Sequence, residues 1–180
     1  YFLYPQIKEK EFSKKEPLKD KVFETDDATI NTFENVKYKG LYNLDKPFIV
    51  ESETARILKG DSDIVYMNKM KVTLYTKDGK TIIITSNKGN YNKGSYDCFF
   101  EENVRADDGD TIILSENLDL LASEDSAVVY NDVVLTNDSG SLVADKINYN
   151  FETKRYDISM FSNEKVKVKL IKWVILKLLE

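Results

Sequence analysis

Three groups of residues in this chain have types and spacing that chemistry can use. Asp107-Asp108-Gly109-Asp110 and Asp61-Ser62-Asp63 crowd carboxylates as a calcium loop does. Such a loop needs oxygen ligands at alternate positions and a distant closing Glu; neither run has that spacing, and both read as turns. Glu101-Glu102 has the composition of a glycosidase pair, but neighbours on a strand point to opposite faces and would not flank one bond. Cys98 lies in the apolar run Tyr96-Asp97-Cys98-Phe99-Phe100, and the chain has no His to activate it. It reads as a small buried side chain, and a single Cys forms no internal disulfide. The absence of His also removes the commonest general base and zinc ligand. With no Gly-rich phosphate loop and no nucleophile elbow either, neither enzyme activity nor a cofactor or metal is expected.

The elements carrying these residues are strands. Of 180 residues, 42% are hydrophobic and 32% charged, enough apolar content for one packed domain. Eleven Tyr and nine Phe, interspersed with Val, Ile and Thr, give a strand composition. The net charge of −5 and the scattered Lys residues argue against a nucleic-acid partner, which needs clustered cations. At a stride of about thirty residues the chain repeats a strand, a polar turn and another strand. Phe48-Ile49-Val50-Glu51-Ser52, Ile82-Ile83-Ile84-Thr85-Ser86, Thr111-Ile112-Ile113-Leu114-Ser115 and Gly140-Ser141-Leu142-Val143-Ala144 open four units. Each unit closes on an Asn followed by Val: Asn68 to Val72, Asn103-Val104, Asn131 to Val133, and Asn163 to Val166, with an incomplete copy at Asn35-Val36. Units of this kind bury their apolar faces only by stacking. Turns are expected at Leu44-Asp45-Lys46-Pro47, Thr76-Lys77-Asp78-Gly79-Lys80, Asn87-Lys88-Gly89, Asn92-Lys93-Gly94, Asp107 to Asp110 and Asn137-Asp138-Ser139-Gly140.

Alternation then points one set inward: Val50, Ile57, Tyr66, Val72, Leu74, Ile82, Ile84, Tyr91, Val104, Ile112, Leu114, Leu118, Leu120, Val133, Leu135, Leu142, Ile147, Tyr149, Ile158 and Val168. Three regions follow. Residues 1–27 combine the apolar stub Tyr1-Phe2-Leu3-Tyr4, too short to span a bilayer, with a Lys/Glu-rich linker. Residues 28–172 form the all-β domain. Residues 173–180 are an apolar tail, compatible with an amphipathic helix, a continued strand or a contact surface.

The stretches Thr32-Phe33-Glu34-Asn35-Val36-Lys37-Tyr38-Lys39-Gly40 and Lys46-Pro47-Phe48-Ile49-Val50-Glu51-Ser52-Glu53-Thr54-Ala55-Arg56-Ile57 resemble the opening of periplasmic lipopolysaccharide-export proteins of the LptC type. Ser86-Asn87-Lys88-Gly89-Asn90-Tyr91-Asn92, Leu142-Val143-Ala144-Asp145-Lys146-Ile147-Asn148-Tyr149 and Asn163-Glu164-Lys165-Val166-Lys167-Val168 continue the likeness over about residues 28–170. The resemblance implies a twisted, partly open β-jellyroll, built from strand-turn-strand repeats behind an N-terminal arm. Its oily interior would have room for lipopolysaccharide acyl chains. The inward set without Tyr91, Leu118, Tyr149 and Val168 is then the expected lipid-binding surface. Implied partners are lipopolysaccharide, the inner-membrane ABC transporter and a periplasmic bridge jellyroll of the LptA type. They would be met along two edge strands carrying Ile30, Phe33, Val36 and Tyr38 at one margin and Val166, Val168 and Leu170 at the other. The implied location is the periplasmic face of the inner membrane, with an anchoring N-terminal helix ahead of this chain. Two alternatives remain open on the residues alone: a soluble bridge of the LptA type, and a structural or adhesive β-repeat module with a closed core.

Overall fold

The computed structural model describes residues 30–42, 46–76, 79–161 and 164–171. The stub, the linker, Asn163 and the tail from residue 172 lie outside the described residues. The chain builds one antiparallel sheet as a meander: β1 (Ile30–Tyr42), β2 (Lys46–Leu58), β3 (Asp61–Tyr75), β4 (Thr81–Asn92), β5 (Cys98–Asp107), β6 (Thr111–Leu121), β7 (Ser126–Asn137) and β8 (Gly140–Asn150). Two short strands, β9 (Arg155–Ser159) and β10 (Lys167–Leu170), both pair with β8, β9 along its second half and β10 along its first. Among the described residues β1 forms one margin, and β9 and β10 share the other.

Every long strand is broken near its middle, and this break is what the Asn-Val repeat encodes. Asn35, Lys69, Glu102, Asn103, Asn131 and Asp132 hold φ between 51° and 64°. That left-handed region suits Asn and Asp best among side-chain-bearing residues, because their short polar groups hydrogen-bond locally. The pairing registers shift at the same line, between Thr85 and Lys88, Glu101 and Val104, Leu114 and Asn117, and Tyr130 and Val133. The Asn residues therefore mark a corner running across the sheet, not the ends of units. Asn87-Lys88-Gly89, expected as a turn, lies inside β4 at this corner.

The corner divides the sheet in two. One half holds 36–42, 46–52, 70–75, 81–86, 104–107, 111–115, 133–137, 140–144 and β10. The other holds 30–34, 54–58, 61–68, 88–92, 98–101, 117–121, 126–130, 146–150 and β9. The halves close on one another. Tyr38 and Phe48 of the first half meet Tyr91 of the second at ring-centroid distances of 5.6 and 6.2 Å, and Phe48 meets Tyr96 at 5.8 Å. Between them lies one apolar core, with Val50, Val65, Met70, Val72, Phe100, Val104, Val133 and Ile147 almost wholly buried. Gly89 is required here. A Cβ on it would stand 2.5 Å from Met70 Sδ across the fold and 2.5 Å from the Phe99 carbonyl oxygen.

Candidate functional site

The corner decides which side chains line the interior. An extra residue inserted into a strand moves all that follow to the opposite face. In β3, Val65 and Met67 face inward before Lys69, and Met70 and Val72 after it. In β6, Ile113 packs on the core and Ser115 is buried before the shift; Leu118 and Leu120 are buried after it. Uninterrupted alternation therefore misplaces three expected lining residues. Tyr66 is 42% exposed and Leu114 45%, both on the outer face, and Ile112 stands on that face too, beside inward Ile113. The signal was present in the Asn68-Lys69 and Ser115-Glu116-Asn117 breaks, which also make Val65, Met67 and Ile113 lining residues that alternation passed over.

The other expected residues gather in one interior. Val50, Val72, Ile84, Val104, Leu120, Val133 and Ile147 are buried in the core, and Ile57, Leu74, Ile82, Leu135 and Leu142 pack against it. Among the described residues these side chains pack together through the centre of that interior. It is open at one end. Ile158 lies opposite buried Ile147 and Val168 opposite Leu142, so both face inward, since directly paired residues share a face. Yet Ile158 is 39% exposed and Val168 60%, because β9 and β10 are the last strands and nothing among the described residues covers them. Tyr156, Phe161, Leu170 and Ile171 are exposed along the same margin, and Val166, just before β10, is half-buried. At the other margin Val36 and Tyr38 pack on the core, while Ile30 and Phe33 are half-buried.

Polar groups inside the roll are few and sit at the corner. Ser86 Oγ donates to the Lys88 carbonyl at 2.6 Å and Ser115 Oγ to the Asn117 carbonyl at 3.0 Å. Ser52, at the equivalent place in β2, is buried without a hydrogen-bond partner among the described residues. Burial pushes the Tyr91 hydroxyl and the Cys98 thiol upward, so both stay neutral against the oily interior. A thiol held protonated is a poor nucleophile.

The candidate chemical groups have structural work. Asp107 Oδ1 accepts the Gly109 N–H, and Asp108 Oδ1 accepts those of Asp110 and Thr111. Lys80 bridges Asp108 and Asp110. The carboxylates thus hold a turn. Glu101 and Glu102 depart from the expected opposite faces: the positive φ of Glu102 brings it to Lys88 at 2.6 Å, and Lys88 is also the ladder partner of Glu101. No helix among the described residues is long and apolar enough to cross a membrane.

A sheet folded on itself around an apolar interior, with one margin uncapped among the described residues, is a partly open β-jellyroll. The family model described as Lipopolysaccharide-assembly, LptC-related, matches residues 6–162. The chain belongs to this family of periplasmic proteins, and its role lies in lipopolysaccharide transport. No curated protein matches it. Among solved structures it is similar to LptH, the LptA-homologous periplasmic component of the lipopolysaccharide transport device of Pseudomonas aeruginosa. The two share 9% identity over 79% of this chain and 94% of that one, with a TM-score of 0.34.

Proposed function

We propose that lipopolysaccharide acyl chains enter at the uncapped margin and lie between the two halves of the sheet. The protein then relays the lipid, at the periplasmic face of the inner membrane, from the transporter to the next bridge jellyroll. The observation that carries this reading is the row Tyr156, Ile158, Val168 and Leu170. It is an apolar mouth continuous with the core through Ile147 and Leu142. Each methylene leaving water gains about 0.8 kcal/mol, so a ten-carbon length gains roughly 8 kcal/mol. That sum offsets part of the cost of parting the halves of the sheet, which are held across their seam by side-chain packing, and core side chains that turn onto the acyl chain stay out of water. Strand ladders run within each half and around the corner, so opening the seam leaves the ladders between neighbouring strands intact. Among the described residues the margins β1 and β9–β10 have backbone groups free of ladder partners, which suits strand addition by the neighbouring modules.

The packed interior supports a second reading, a structural module whose core never opens. One comparison separates the two. Ile158→Asp and Val168→Asp place a charge in the mouth at exposed positions that tolerate it in folding. Leu114→Asp places the same charge on the outer face. Retention of labelled lipopolysaccharide by the full chain is expected to fall at least about tenfold for the mouth variants and to hold for Leu114→Asp. Equal retention by all three supports the closed module.

A further inference from the structure

The outer face of the second half carries a groove that the interior reading does not use. Its cavity volume is about 400 Å³, within the range of small-ligand clefts, roughly 300–1,000 Å³. Two adjacent cross-strand rows line it. Arg56, Tyr66 and Asn90 form the first, over β2, β3 and β4. Asn68, Lys88 and Glu101 form the second, over β3, β4 and β5. The Tyr66 ring is held out from the sheet by the corner at Lys69, which turned it away from the core.

We infer that this groove binds a saccharide. The composition decides among ligand classes. An exposed aromatic ring flanked by planar polar groups matches a sugar, whose C–H face stacks on the ring while its hydroxyls need both donors and acceptors. Arg56 supplies donors, Glu101 acceptors and Asn90 both; among the described residues none of the three makes a side-chain hydrogen bond, and Glu101 acts on Lys88 only through its charge. Asn68 gives its Nδ2 hydrogen to Thr54 Oγ1 at 3.0 Å, which leaves its carbonyl oxygen as an acceptor. A phosphate or other anion is disfavoured, because Lys88 is already paired with Glu102 at 2.6 Å and Glu101 stands beside it. A peptide strand is disfavoured as well, since β2 to β5 spend their backbone groups on their own ladders. Ile30, Leu58 and Met67 border the groove as well, but an acyl chain lying in it would strip water from Arg56, Lys88 and Glu101 without giving them a partner. The inference stands apart from the interior site and holds whether or not the roll opens.

The test is saturation-transfer NMR on the full chain with two probes, maltopentaose and an acyl-free core oligosaccharide from lipopolysaccharide. Transfer from the Tyr66 ring protons to sugar C–H protons is expected with at least one probe. Tyr66→Ala should weaken that binding at least about fivefold, the worth of one aromatic contact, while Tyr66→Phe retains it and Arg56→Ala weakens it. Thermal unfolding confirms that the variants stay folded at this exposed position. Absence of transfer with both probes overturns the inference. So does transfer that Tyr66→Ala leaves unchanged, or a Tyr66 signal that answers to Phe2→Ala and Tyr4→Ala but to neither sugar, which would make the chain's own arm the occupant.

Discussion

Gly89→Ala probes the folding of the sheet onto itself. Gly89 has a backbone conformation open to any residue, so its cost is purely one of packing. The new methyl would meet Met70 Sδ and the Phe99 carbonyl oxygen, each at 2.5 Å. The thioether can swing aside. The carbonyl cannot, because Phe99 is tied into the ladders of β5 with β4 and β6. Overpacking of this kind costs about 1–3 kcal/mol, and a distorted ladder bond adds about 1 kcal/mol. The reduced freedom of the unfolded chain returns about 0.4–1 kcal/mol. The net is a loss of about 1–3 kcal/mol, or a fall in Tm of about 2–4 °C for each kcal/mol in a chain of this size. Urea denaturation followed by far-UV circular dichroism measures it. A loss below about 0.5 kcal/mol would refute the close approach, given the typical scatter of surface substitutions. Combining Gly89→Ala with Met70→Ala should leave most of the cost in place. If the alanine at 89 becomes free in that background, the backbone carbonyl is not the wall we take it to be.

Asn103→Val, which forces a β-branched residue into φ 54°, should cost about 1–2 kcal/mol in the same assay, and Asn103→Gly little or nothing. Asp119 is half-buried, and desolvation raises its pKa above the usual 3.8, against the opposing hydrogen bond from the Tyr130 hydroxyl at 3.4 Å. A raised carboxyl favours the folded state while protonated and loses that contribution as pH climbs through the folded pKa. Asp119→Asn is therefore expected to unfold at higher urea than the parent at pH 7, with the difference shrinking toward pH 3. Cys98 is expected to react with a thiol reagent only as fast as the protein unfolds; a reaction that outpaces unfolding would place the thiol outside the core.

The all-β class, the stacked repeats and the turns at 92–97, 107–111 and 137–140 were legible because they depend on local chemistry. Gly79, Gly109 and the Asx-type contacts of Asn92, Asp107 and Asn137 serve their own backbone within a few residues. The first strand lies at one end, as a meander requires, but the far margin is shared by β10 and β9, and no local pattern shows that both return to β8. The lining was only partly legible. Ile84, Val104 and Val133 obey alternation within their half of the sheet; Tyr66, Ile112 and Leu114 required knowing that a corner had reversed it. The repeated Asn was visible in the sequence, but an Asn with positive φ inside a strand and an Asn in a turn look alike there. Closure of the two halves through Tyr38, Phe48 and Tyr91 joins residues far from one another in the chain, and no local pattern announces it.

The central claim is that acyl chains lie between the halves of the sheet, and adjacent positions on β6 test it most directly. A photo-reactive amino acid placed at Ile113, which packs on the core, should crosslink to lipopolysaccharide carried by the full chain. The same group one residue on at Leu114, on the outer face, should not. Inward Ile84 should follow Ile113, and outward Val143 should follow Leu114. Crosslinks from Leu114 and Val143 with none from Ile113 or Ile84 would contradict the account.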